Sequence, residues 1–111
     1  MENIKNIFII GCKGIPAQYG GYETFVENLT FYNDNTNIKY HVACIGDKED
    51  EFEHNNARCF NIKIPNIGPA KAIVYDLKSI RKSIKYIKDN KINNAFIYIL
   101  ACRIGPFLRA L

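Results

Sequence analysis

With 111 residues, of which 48% are hydrophobic and 13% aromatic, the chain has the material for one modest buried core, which argues against both a disordered segment and a multi-domain assembly. Fifteen basic against eleven acidic residues leave a net charge of +4, too small an excess to argue for a nucleic-acid partner, and none is expected. The apolar run near the N-terminus, Ile7 to Ile10, is too short for a signal-peptide core or a membrane span, so a cytoplasmic location is expected.

In chain order, Ile4 to Ile10 is apolar and β-branched and reads as a buried strand. Gly11 to Gly20 is a loop, and Gly21 opens a helix in which Tyr22, Phe25, Val26 and Leu29 recur at helical spacing. Asn33-Asp34-Asn35 stops that helix. Ile38 to Ile45 and Ala57 to Ile64 read as the second and third strands, joined by an acidic loop from Asp47 to Glu53. Pro65, Gly68 and Pro69 bracket a turn, after which a long helix runs from about Ala70 to Asp89 with Ile73, Leu77, Ile80, Ile84 and Ile87 as its core stripe. Ala95 to Leu100 is a fourth strand, and Gly105-Pro106 begins a further helix.

This order predicts an α/β, Rossmann-like domain over residues 1–111, with a mainly parallel sheet and helices on both faces. Ligands in such sheets bind beyond the carboxyl ends of the strands, which directs attention to the segments after the first and fourth strands. Cys12, Cys44, Cys59 and Cys102 form no Cys-x-x-Cys pair and have no histidine at metal-ligand spacing, so reduced, packed thiols and no metal are expected. His41 and His54 are equally isolated in the sequence, and neither has a partner there that would make it a ligand or a base.

The first loop is the most informative stretch. Residues 11 to 24 read Gly-Cys-Lys-Gly-Ile-Pro-Ala-Gln-Tyr-Gly-Gly-Tyr-Glu-Thr and hold four of the seven glycines in the chain. Without Cβ atoms, glycines let backbone N–H groups approach an anion, which the positive end of the following helix also attracts. Gly20 and Gly21 are the natural phosphate contacts. A dinucleotide fingerprint starting at Gly11 would need glycine where Lys13 stands, and a Walker loop is missing altogether, which disfavours NAD and ATP enzymes. A glycine-rich turn with no ligand is the plain structural alternative.

The string Lys13-Gly14-Ile15-Pro16-Ala17, Tyr19-Gly20-Gly21, Glu23-Thr24 and Glu27 resembles the signature of the DUF1972 type of bacterial rhamnosyltransferase, the N-terminal domain of family 4 glycosyltransferases that build capsules and other surface polysaccharides. Tyr98-Ile99-Leu100 followed by Cys102-Arg103-Ile104-Gly105-Pro106-Phe107 is similar to that family's segment after its fourth strand, so the resemblance covers nearly the whole chain. It implies the N-terminal half of a GT-B enzyme, here incomplete, that retains anomeric configuration and requires no metal or cofactor. The nucleotide sugar is held mainly by a C-terminal domain, or by a partner chain, that is not in this sequence. Gly20, Gly21, Lys13 and Gly14 take the donor-phosphate role by resemblance, with Tyr19, Glu23 and Arg103 toward the acceptor or cleft. A lipid-linked or oligosaccharide acceptor and a peripheral contact with the inner membrane are the partners expected, and independent transfer by this stretch alone is not. The alternatives are a non-catalytic module that binds a phosphorylated ligand and a remnant of a split enzyme.

Three further features carry two readings each. Lys71, Lys78, Arg81, Lys82, Lys85 and Lys88 form a basic helix face that suits anionic lipid or simply water. Glu23 and Glu27, four apart, are a formal carboxylate pair, but their early position on the helix already accounts for them. Asp47 after the second strand is a weak candidate for a hydroxyl contact.

Overall fold

The computed structural model describes residues 4–16 and 20–100. Strand β1 (Lys5–Ile10) leads into helix α1 (Gly21–Phe31), strand β2 (Ile38–Ile45), a hairpin of β3 (Glu51–His54) and β4 (Ala57–Ile62), helix α2 (Lys71–Asp89) and strand β5 (Ala95–Ile99). The sheet order is β3-β4-β2-β1-β5, parallel everywhere except along β3. The predicted fold class is therefore the observed one: an α/β domain with a mainly parallel, Rossmann-like sheet. The expected helix at Gly105-Pro106 lies outside the described residues.

Each face of the sheet has its own core, because side chains alternate along the strands. Ile9, Val42, Cys44 and Cys59 pack with Val26 of α1 on one face. Phe8, Ile10, Ala43, Phe60 and Ile62 pack with Tyr75 and Ile80 of α2 on the other. The chain leaves β1 through α1 to β2 on one side, and crosses through α2 to β5 on the other side of β1. Right-handed crossovers in opposite directions put their helices on opposite faces.

The acidic segment is not a plain loop. Its second half is β3, paired antiparallel to β4 from Glu51 opposite Phe60 to His54 opposite Ala57. Asn55 and Asn56 both adopt positive φ, at 53° and 63°, the conformation of the two-residue turns whose twist matches paired strands. Arg58 closes the hairpin with two parallel bonds of 3.0 Å to the Glu51 carboxylate.

The helix faces match expectation in part. On α2 Ile80 is buried and Ile73, Leu77 and Ile87 pack beside it, as the stripe predicts, while Ile84 is 40% exposed and Tyr75, Asp76, Ser79 and Ser83 are buried as well. Ser79 and Ser83 enter the interior because each hydroxyl donates to the carbonyl four residues earlier, Tyr75 O and Ser79 O. On α1 Glu23, Val26 and Thr30 are buried, and Tyr22 and Phe25 are left exposed. No helix among the described residues is long and apolar enough to cross a membrane.

Both histidines have hydrogen-bond partners in the fold that the sequence does not reveal. His54 Nε2 lies 2.8 Å from Glu27 Oε2, tying the hairpin turn to α1. His41 stacks on Phe8 with ring centroids 4.2 Å apart. Arg58 Nη1 donates to its Nδ1 at 3.0 Å, so the proton sits on Nε2, which donates to Asn6 Oδ1 at 2.8 Å. Burial first, and the Arg58 charge second, hold the His41 imidazole down to about 3. In the unfolded chain it titrates near its ordinary value, so between about pH 6.5 and 3 the unfolded state binds the extra proton and stability is lost as pH falls. Urea denaturation should show the wild-type chain losing about 3 kcal/mol more than His41→Gln between pH 7 and pH 4. Parallel loss in the two proteins would refute this account of His41.

Candidate functional site

The sequence places glycines where the chain must turn out of the buried strand β1. Gly11 has φ of 115° and Gly20 of 103°, both in the left-handed region. A Cβ on Gly20 would collide with Glu23 Oε1, so glycine there serves the turn into α1 directly. Gly21 differs. Nothing lies within 4 Å of where its Cβ would stand, and its backbone is ordinary helix. The fold alone does not require glycine at position 21.

Three bonds from three elements hold the loop after β1. The Lys13 N–H donates to Glu23 Oε2 of α1 at 2.6 Å. The Lys13 carbonyl accepts from Ile45 N–H at the end of β2, at 2.9 Å. The Tyr75 hydroxyl of α2 donates to Cys12 O at 2.7 Å. Burial pushes the Tyr75 phenol well above its ordinary range, so it stays a donor. Burial and the neighbouring Cys44 likewise push the Cys12 thiol up to about 12. Cys12, Cys44 and Cys59 are all buried, unbridged thiols, as predicted. They are packing, not nucleophiles.

Above this braced loop lies an open cleft of about 560 Å³. Gly11, Cys12 and Lys13 form its floor, Gly20, Gly21, Tyr22 and Glu23 one wall, and Gly68, Pro69, Lys71 and Ala72 the other. The two walls are the starts of the two helices, meeting at the carboxyl end of β1 where the chain connections diverge to opposite sides. Neither helix start carries a side-chain cap among the described residues. The first N–H groups of a helix have no partner within it and carry the positive end of its dipole, although a 3-10 turn, Gly68–Ala70, leads into α2 and the Lys71 N–H already donates to Gly68 O. In α2 no acid occupies the first turn to offset that potential, and Lys71 adds to it. The arrangement suits an anion with several oxygens, such as a diphosphate.

Of the residues singled out from sequence, Gly20, Gly21, Lys13 and Glu23 come together around this cleft. Gly14 stands instead in the neighbouring cleft of about 360 Å³, with Ile15, Pro16, Cys44, Phe52 and Asn61. Tyr19, Arg103 and Cys102 lie outside the described residues. Asp47 lines neither cleft. Glu23 and Glu27 do not act as a pair: Glu23 holds Lys13, and Glu27 accepts from Asn55 Nδ2 at 2.9 Å beside its bond to His54. Glu23 is 9% exposed and its carboxylate strengthens the loop rather than facing open water. The wall from Gly68 to Ala72 was missed as part of the site. Its signal, glycine and proline ahead of a helix after a strand, is visible in the sequence, but the crossover that brings it to Gly21 is not.

Fold and site together define an α/β domain with an open cleft between two helix starts. The chain belongs to the family described as a domain of unknown function, DUF1972, which it matches over residues 4–111. No curated protein and no solved structure matches it.

Proposed function

We propose that this chain is the N-terminal, acceptor-side part of a retaining GT-B glycosyltransferase, one that moves rhamnose from a nucleotide donor to a growing cell-surface polysaccharide in the cytoplasm. The observation that carries the reading is the convergence of the start of α1 and the Gly68–Ala70 turn into α2 on one cleft, with Gly21 open at its edge. The resemblance of the glycine loop to the rhamnosyltransferase signature supplies the reaction class.

In this reading the donor's nucleotide is held largely by a C-terminal domain, and its diphosphate is pressed against Gly20 and Gly21. As the glycosidic bond breaks, negative charge grows on the leaving diphosphate. Backbone N–H groups at the start of α1, with the positive end of the α2 dipole and the Lys13 and Lys71 side chains, stabilise that charge. The braces from Tyr75, Ile45 and Glu23 keep the loop in place for this. No metal ion or cofactor is required. The acceptor, lipid-linked or oligosaccharide, approaches from the open side of the cleft.

The test is an amide NMR titration with pyrophosphate and with nucleoside diphosphates. The N–H resonances of Gly20, Gly21, Lys71 and Ala72 should move together and saturate. If they stay fixed while the longest native gene product releases nucleoside diphosphate from its donor, the cleft is not the phosphate site. If no donor is turned over either, the transferase reading itself is lost.

A further inference from the structure

The two helices present opposite kinds of surface to water. All but one of the exposed residues of α2 are charged, whereas the exposed residues of α1, namely Gly21, Tyr22, Thr24, Phe25, Asn28 and Phe31, carry no charge. Tyr22, Phe25 and Leu29, with Tyr32 at the end of the helix, fall within an arc of roughly 80° at 3.6 residues per turn. Strand β5 continues this band. Ala95, Ile97 and Ile99 pack toward α2, so the alternation of the strand turns Phe96 and Tyr98 to the α1 side, where both stay half-exposed. Phe31 leans edge-on against Tyr32, with ring centroids 4.9 Å apart. Gly21, Tyr22, Phe25, Tyr98 and Leu100 together line a hollow of about 500 Å³ between the helix and the strand.

Six aromatic side chains of this band, Tyr22, Phe25, Phe31, Tyr32, Phe96 and Tyr98, are 46% to 74% exposed. At about 200 Å² apiece they leave roughly 600 Å² of aromatic surface in water. That reaches the upper end of the largest apolar patch on an ordinary monomer, about 600 Å², and makes up most of the roughly 800 Å² that each partner buries in a stable interface. Aromatic enrichment with depletion of charge is also the composition of an interface core. A further strand laid by this chain beside β5 would leave the band open, because a right-handed crossover running in the same direction as that through α2 carries its helix to the α2 face. Two copies of the chain, each with a net charge of +4, meet at least electrostatic cost through α1 and β5, whose exposed residues are uncharged. We infer that this face is where the chain pairs with a second copy of itself, about a twofold axis that sets the α1 stripe of each copy against Phe96 and Tyr98 of the other. Tyr22 also lines the cleft, so the second copy stands beside the α1 wall of the cleft. The inference does not rest on the transferase reading.

Sedimentation velocity and light scattering test it. The purified chain should run at twice its 12.7 kDa monomer mass, and the longest native gene product at twice its own. Phe25→Glu and Phe96→Lys, each at a half-exposed position, should stay folded and weaken pairing by at least about tenfold, the loss expected of a central aromatic contact. Mixed in equal amounts, the two variants should pair with each other more tightly than either does alone, because the mixed dimer holds one original aromatic contact and one pair of opposite charges. Should either variant fail to fold, Phe96→Thr, which keeps a strand-forming residue, decides by its loss of pairing. A monomer in either wild-type preparation, or unchanged pairing in the folded variants, would overturn the inference. So would a mixture no tighter than its components, or growth beyond two copies with concentration, since a twofold contact closes at two.

Discussion

Gly21→Val in the longest native gene product should lower nucleoside diphosphate release by about a hundredfold or more while leaving the fold intact. The space around Gly21 is empty of protein atoms, and its helical backbone accepts any L-residue. Glycine is also a poorer helix former than valine, so stability should change by no more than about 0.5 kcal/mol. What the branched side chain does fill is the edge of the cleft, where it holds the diphosphate away from the N–H groups of the first turn. Gly21→Ala should show an intermediate loss. Melting temperature and turnover, measured on the same samples, check both halves of the expectation. Turnover within twofold of wild type in a folded Gly21→Val protein would remove the phosphate role from this residue. Gly20 is a poor substitute for the test, since its positive φ and its closeness to Glu23 make any side chain there disturb the turn itself.

At Gly14 the expectation is reversed. Its φ is 132°, and a Cβ would stand 2.8 Å from Cys44 Cβ and 2.9 Å from Cys44 Sγ. Cys44 sits in the buried end of β2 and cannot move aside without shifting the strand. Gly14→Ala should therefore cost roughly 3 kcal/mol, from the left-handed backbone and the overpacked contact together. A loss of that size lowers the melting temperature of a domain this small by on the order of 15 °C. Urea denaturation measures it directly. A cost below about 1 kcal/mol would mean that packing does not explain this glycine and would return Gly14 to the list of phosphate contacts.

The contrast between these two glycines illustrates what can be read before the fold is known. In the sequence they are equivalent members of one glycine-rich loop. In three dimensions one is pressed against a strand and the other borders open space. The histidines make the same point. His41 and His54 have no suggestive neighbours along the chain, yet pairing of β2 with β4 brings Arg58 to His41, and the hairpin turn brings His54 to Glu27. The Asn55-Asn56 turn was legible in principle, because two residues that tolerate positive φ stand between a polar segment and an apolar strand. The acidic composition of that segment hid β3, an edge strand that packs only one side of its backbone against the sheet.

The sequence by itself determined the succession of strands and helices, the parallel α/β class, the glycine-rich turn at the carboxyl end of β1 and the family to which that turn belongs. These follow from local periodicity and from residue types whose backbone preferences act over a few positions. Only the tertiary structure decided which helix faces are buried, that Tyr75 braces the loop, and that the start of α2 forms the second wall of the cleft. Those depend on a crossover that brings together residues some fifty positions apart, and no local preference records where such a connection will land.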